Sequence, residues 1–449
     1  MSTTSPFDLI VLGSGGAGYR VAMRCREAGW KVAVIESNKV WGGTCDNRGC
    51  MPKKVLVGAA EVADMNRRFQ ELGIVTDLAK LDWGQLIKFK TTFTDSVSSE
   101  TKEPLEKAGV ILYEGSPKFV DESTIEVNGE RLTAKYFHIA TGAKPANLKL
   151  PGAEHLIISD DFLNLTSLPS RVIFVGGGYV SFELAHVAAR FGAKVTILHN
   201  DGRPLPAFDP DAVKTLIAAS QEAGIQVVLD AAVEKIEKTD AGVIVHTASG
   251  QQHTADLAVH GAGRPPAIDT LNLEAANIEY ERRGVVVNEY LQSVSNPRVY
   301  SGGDAAAAGP PLSPVARLHG IIVADNLLGK KTKQPNYRST PSVIFTEPPL
   351  AMVGLTEQAA KDQRIDVQVH TEDMSTWFDA KRTNLKHTMA KTLVDKKTNK
   401  IVGAHIIGNH AEDLINMFAL AIETGLTAEQ FQTPIYAFPT PSDDARYMV

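Results

Sequence analysis

The sequence predicts an α/β chain: two Rossmann-like dinucleotide-binding domains and a C-terminal α+β domain. Three observations predict it. A glycine-rich strand–turn–helix–strand unit begins at Phe7, the same unit recurs at Arg171, and near residue 340 the texture changes to short alternating runs. The length of 449 residues agrees with about three domains at roughly 150 residues each. With 43% hydrophobic and 22% charged residues, the composition is that of a globular protein, which excludes disorder, collagen and coiled coil.

The first unit is FDLIVLGSGGAGYRVAMRCREAGWKVAVIES. Phe7–Leu12 is an apolar strand, Gly13, Gly15 and Gly18 form GxGxxG, and a helix runs to about Ala28, where Gly29 ends it. Residues 31–35 are a second strand with Glu36 at its end. In such units the glycines let a helix N-terminus approach a pyrophosphate, and the acidic residue accepts from a ribose hydroxyl. The second unit is RVIFVGGGYVSFELAHVAARFGAKVTILHN, with Gly176 and Gly178 in place and Ser181 where the third glycine would stand. Glu36 lies 23 positions after Gly13, and His199 lies the same 23 positions after Gly176. One glycine fingerprint is a weak signal; two inside full βαβ patterns at one spacing read as two dinucleotide sites.

Each unit has a later strand end punctuated by glycine and proline: YFHIATGAKP with Gly142, and LAVHGAGRPP with Gly263. A third, VYSGGDAAA, places Asp304 just beyond a strand. The final segment alternates (PSVIFTE, KTLVDK, KIVGAHIIG) and then reads as the amphipathic helix AEDLINMFALAIETG, the pattern of a separate α+β domain. The expected division is 1–145 with 268–336, 146–267, and 337–449.

Lys+Arg number 46 against 52 Asp+Glu, a net charge of −6. A mildly acidic chain argues against nucleic acid and against an anionic membrane surface as partners. No apolar run reaches the ~18 residues of a membrane span. The N-terminus lacks the basic segment of a signal peptide and runs directly into the first strand. Three cysteines are too few for a disulfide scaffold, so a reducing compartment, the cytoplasm, is expected.

Cys45 and Cys50 lie in WGGTCDNRGCMPKK with four residues between them. Zinc sites favour two-residue spacings and need further ligands; no metal site is expected, and a dithiol/disulfide pair fits better. The helical pattern resumes at Pro52, placing Cys50 near a helix N-terminus, where the dipole lowers a thiol pKa. Cys25, inside the first helix, reads as a small buried hydrophobe.

On GSGGAG, GGTCDNRGCMPKK, ATGAKP, GGGYVSFE, GAGRPP, GGDAAAAGPPLSPVA and TPSVIFTEPPLAMVGLTE, the chain resembles the FAD-dependent disulfide oxidoreductases: the glutathione reductase, dihydrolipoamide dehydrogenase and mercuric reductase group. The resemblance covers almost the whole chain. It implies an FAD-binding domain in two parts, an NAD(P)-binding domain at 146–267, a C-terminal dimerisation domain and a homodimer. It implies that Gly13, Gly15 and Gly18 approach the FAD pyrophosphate, Glu36 accepts from the adenosine ribose, Gly43 and Thr44 line the FAD, and Gly142 and Asp304 lie along it. Cys50 would be the charge-transfer thiol and Cys45 the interchange thiol that meets the acceptor. Lys54 and Glu183 would form the ion pair near flavin N5, and Tyr179 the aromatic gate of a nicotinamide site built around Gly176, Gly178 and Gly263.

His199 replaces the carboxylate that would accept from the 2′-hydroxyl of NAD and repel the phosphate of NADP. NADPH is therefore the expected cofactor ahead of NADH, with His199, Asn200 and Arg203 as candidate phosphate donors. The tail departs from the family. Where its disulfide reductases end in HPTxSEE, this chain has Phe438-Pro439-Thr440-Pro441-Ser442-Asp443. Phe438 stands at the catalytic histidine and Asp443 at its orienting carboxylate. General acid catalysis is worth about 10²–10⁴-fold, so the expected acceptor is a small molecule that needs no histidine acid. The alternatives are a glutathione-reductase-like enzyme with a substitute donor such as Asp443, Asp444 or Tyr447, and a redox-sensing flavoprotein scaffold. The C-terminal cysteine pair of mercuric reductases is also missing, for no cysteine follows Cys50.

Overall fold

Phe7–Leu12 is buried almost throughout, which is why it is a continuous apolar run and not an alternating one. It pairs in parallel with Val32–Glu36 on one side and Glu130–Ile139 on the other. Ile111–Glu114 and Val299–Ser301 extend the parallel core, and Thr124–Val127 and Lys118–Asp121 complete a seven-stranded sheet by antiparallel pairing. The helices Gly16–Glu27 and Ser313–Leu328 pack together against it, burying Val21, Ala22, Ile322 and Val323 with Leu9 and Val11. The first helix stops where glycine was expected to stop it: Glu27 is its last residue and Gly29 follows at φ +87°.

The structure, a computed structural model, describes residues 6–73, 81–329 and 333–449. The chain divides into two units. One comprises Met1–Pro52, Phe89–Ala146 and Arg264–Tyr337; the other comprises Lys53–Lys88, Asn147–Gly263 and Arg338–Val449. Residues 53–88, expected with the first dinucleotide domain, group with the second unit. Hydrophobic contact is the reason: Leu56, Val57, Ala60, Trp83 and Ile87 join the core of Phe174, Phe182 and Ile407.

The second unit holds a four-stranded parallel sheet in the order Leu257–His260, Arg171–Val175, Lys194–Leu198, Ile225–Val228. The helix Tyr179–Arg190 follows its glycine turn. Ser181, at the third-glycine position, is fully buried, and its hydroxyl occupies the space that a side chain at Gly261 would need. The C-terminal part is a five-stranded antiparallel sheet in the order Ser342–Ile344, Leu350–Gly354, Ile401–Ile407, Met389–Asp395, Val367–Asp373. The amphipathic helix Ala411–Thr424 covers it, burying Leu414, Ile415, Phe418, Ala421 and Ile422.

Candidate active site

The first glycine turn is built for close approach. Gly13 sits at φ +105°, a conformation that L side chains rarely adopt. A Cβ on Gly43 would lie 2.6 Å from Gly15 Cα. The helix Gly16–Glu27 begins behind this cradle with no side-chain cap on its first N–H groups, the arrangement that receives a phosphate. The close backbone approach at Gly13, Gly15, Gly18 and Gly43 is what a dinucleotide pyrophosphate such as that of FAD requires. Glu36 is buried and also organises the turn. Its Oε2 accepts from Ser14 N–H at 3.0 Å and Ser14 Oγ at 2.7 Å, and its Oε1 accepts from Asn38 N–H at 2.9 Å. Ser14 Oγ in turn accepts from Gly42 N–H at 2.9 Å, so one carboxylate ties the glycine turn to the cysteine-bearing segment.

Asp304 lies beyond the strand Val299–Ser301, where burial raises its carboxyl and Arg264 opposes the rise. Its turn is pinned by a residue that sequence reasoning missed. Gly303 N–H donates to His319 Nδ1 at 3.0 Å, and His319 Nε2 lies 2.7 Å from the Tyr337 hydroxyl. Burial lowers His319 to about 4, so the ring is neutral with its proton on Nε2. Gly142, at φ +68°, accepts from Ala267 N–H at 2.8 Å beside this region.

The two thiols meet. Cys45 lies in the short helix Gly43–Arg48, and Cys50 is the first residue of the helix Cys50–Gln70. The two sulfurs are not joined in a disulfide. The hydrogen bond to Cys50, and then burial, push the Cys45 thiol up. The rise keeps Cys45 in its protonated form near neutral pH. Cys50 Sγ also lies 3.2 Å from Ser313 Oγ, a contact that sequence reasoning missed. Cys25 is buried, and burial pushes its thiol up to about 12, the character of an inert cysteine.

One expected pairing is corrected. Glu183 Oε1 is bound by Lys53 Nζ at 2.7 Å, not by Lys54. Lys54 reaches Glu61 at 2.8 Å and Glu412 at 3.9 Å. Successive residues on a helix differ by about 100° in direction, so only one of two adjacent lysines can face Glu183. Phe345 completes the arrangement: its N–H donates to Glu183 Oε1 at 2.9 Å, and its ring lies 4.2 Å from Lys53 Nζ and 4.5 Å from Lys54 Nζ.

The second glycine turn repeats the first. Gly176 sits at φ +105°, and a Cβ there would lie 2.6 Å from Gly261 O. Gly178 caps the helix Tyr179–Arg190, with Tyr179 half-exposed at its start. Gly263 is at φ +104°. His199 is a second correction. Its Nδ1 accepts from Gly177 N–H at 3.1 Å, so the ring proton is on Nε2, which donates to Arg203 O at 3.0 Å. Both nitrogens are engaged, and the ring offers a phosphate no donor. Arg203 is exposed and donates to Pro206 O and Phe208 O, each at 3.2 Å; Asn200 is exposed.

In the tail, Phe438 is 83% exposed. Asp443 is buried in the short helix Pro441–Asp444, its carboxylate 3.6 Å from Arg446 Nη1. Among the described residues no helix is long and apolar enough to cross a membrane, and no three His, Cys, Asp or Glu are grouped to hold a metal ion.

Comparison with known proteins agrees with this layout. The profile of the pyridine nucleotide-disulphide oxidoreductases matches residues 7–320, and that of their dimerisation domain matches residues 340–448. A mercuric reductase from Staphylococcus aureus is 34% identical over 430 residues, covering 94% of this chain and 78% of the relative. A dihydrolipoyl dehydrogenase from Geobacillus stearothermophilus is 32% identical over 443 residues, covering 96% and 93%. Among solved structures, the Cu(II) complex of the HOCl-induced flavoprotein disulfide reductase RclA from Escherichia coli superposes with a TM-score of 0.88 at 27% identity, covering 99% of both chains.

Proposed function

Because the chain belongs to the pyridine nucleotide-disulphide oxidoreductase family and is an enzyme of it, we propose that it passes electrons from NADPH through FAD and the Cys45–Cys50 pair to a small acceptor that needs no histidine acid. The observation that carries this reading is the placement of the two cysteines: Cys45 in the short helix Gly43–Arg48 and Cys50 as the first residue of the 21-residue helix that follows it, with Cys50 the largest influence on the Cys45 thiol. FAD, when bound, supplies the exchange between hydride and thiol chemistry. The residues 1–145 and 268–336 would hold it, and 146–267 would hold the nicotinamide nucleotide. Lys53, fixed by Glu183, takes the role first expected of Lys54, that of a positive charge near the reduced flavin. NADPH is favoured because no carboxylate stands at position 199; the donors to its phosphate would be Asn200 and Arg203. The dimerisation domain supports a homodimer, in a reducing compartment.

Phe438 supplies no proton, so the acceptor's leaving group must already be a stable anion or be absent. Disulfides with acidic leaving groups, quinones, and soft metal ions such as Hg(II) or Cu(II) meet that condition. A screen of these with purified enzyme, scored by NADPH consumption, tests the reading. Turnover of one class well above that of glutathione disulfide supports it, and glutathione disulfide as the best acceptor overturns it. A second reading, a disulfide reductase with a substitute acid, is favoured by Asp444, whose carboxyl is raised by burial and by Asp379 and Asp443.

A further inference from the structure

We propose that Ser313 is a positioning residue of the redox pair: its hydroxyl donates to Cys50 while that sulfur carries the negative charge, and to Cys45 when the charge moves there. This rests on the reading of Cys45 and Cys50 as a redox couple.

Three observations place the hydroxyl. Ser313 Oγ lies 3.2 Å from Cys50 Sγ, across 263 residues of sequence. The same side chain also acts on the Cys45 thiol, where it opposes the rise that Cys50 and burial impose. Ser313 is also the first residue of the 16-residue helix Ser313–Leu328, as Cys50 is of the helix Cys50–Gln70. Each helix N-terminus carries roughly half a positive charge, so a hydroxyl donor and two dipole ends serve one pair of sulfurs.

The electron and proton count gives the hydroxyl its task. Two electrons from NADPH break the Cys45–Cys50 bond. The one proton that the hydride carries ends on Cys45, by way of solvent and with no net uptake, and Cys50 is left a thiolate, to which a hydroxyl can only donate. When the proton passes from Cys45 to Cys50, the charge moves to Cys45, the sulfur that attacks an acceptor. A hydroxyl has one proton and serves one sulfur at a time, so Ser313 turns with the charge. Phe438 offers no donor, and this hydroxyl from within the chain is the one that follows the thiolate.

The test uses the reduced, FAD-loaded enzyme as wild type, Ser313→Ala and Ser313→Thr. Iodoacetamide alkylation of Cys50 and Cys45 is followed against pH by peptide mass spectrometry, with FAD content measured alongside. A hydrogen bond to a charged group is worth about 1.5–3 kcal/mol and one pKa unit is about 1.4 kcal/mol. Ser313→Ala should therefore raise the apparent pKa for Cys50 alkylation by roughly 1–2 units. Ser313→Thr, which keeps the hydroxyl, should restore the wild-type profile, and all three should hold equal FAD. An unchanged profile in Ser313→Ala, or an equal shift in Ser313→Thr, overturns the proposal and leaves the redox couple standing. Absence of a Cys45–Cys50 disulfide peptide from oxidised wild-type enzyme overturns the redox couple itself.

Discussion

Lys53 and Glu183 form a buried ion pair at 2.7 Å, with side chains only 13% and 4% exposed. The pair joins the helix that begins with Cys50 to the helix that begins with Tyr179. Breaking a buried pair by removing one partner costs roughly 3–5 kcal/mol, because the remaining charge is left desolvated. Lys53→Met should therefore lower the thermal midpoint and slow flavin reduction by NADPH. Lys54→Met removes half-exposed pairs worth about 0.2–1 kcal/mol each and should change both little. Stopped-flow reduction and calorimetry on the two variants decide it; a larger loss in Lys54→Met would contradict the assignment.

Cys50→Ser should keep FAD bound, since the glycine cradle is untouched, and lose the long-wavelength absorbance that develops on anaerobic addition of NADPH. A band of wild-type intensity would reassign the two thiols.

NADPH should show the higher kcat/KM in the wild type. Glu36 accepts from Ser14 N–H as His199 accepts from Gly177 N–H, so a glutamate at 199 can keep the turn while adding the missing charge. His199→Glu should shift the NADH/NADPH ratio of kcat/KM at least about tenfold towards NADH, which is about 1.4 kcal/mol. A wild-type preference for NADH sinks the prediction.

Phe438→His should raise turnover of glutathione disulfide, with a pH profile reporting a group near the ordinary imidazole value of about 6.5. Asp443 already faces Arg446 at 3.6 Å and is shorter than glutamate, so the rescue should be partial. Wild-type turnover already at the level of the variant would mean that another group, with Asp444 foremost, supplies the proton.

His319 sets an acid limit. Its folded value is about 4 against about 6.5 unfolded, so the unfolded chain binds the extra proton between these values. Its contribution is present above pH 6.5 and is lost as pH falls towards 4, about 3 kcal/mol in all. His319→Asn keeps an acceptor for Gly303 N–H and cannot ionise, so urea midpoints should fall less steeply over that window than in the wild type. An unchanged slope would contradict this.

Much of the chain was legible without coordinates, because its signals are local. Glycine spacing and strand patterning determined both βαβ units, and the helical pattern resuming at Pro52 put Cys50 at a helix start. The proposal that Phe438 stands where the family carries a histidine rests on the frame of the tail motif alone. What only the tertiary structure decided depends on direction and on long-range approach. Lys53 and Lys54 are equivalent in sequence, and the turn of the helix selects the one that faces Glu183. His199 reads as a free donor until the fold brings Gly177 N–H and the Arg203 carbonyl onto its ring. Ser313 lies far from Cys50 along the chain, and only the packing of its helix beside the first glycine turn brings the hydroxyl to the sulfur.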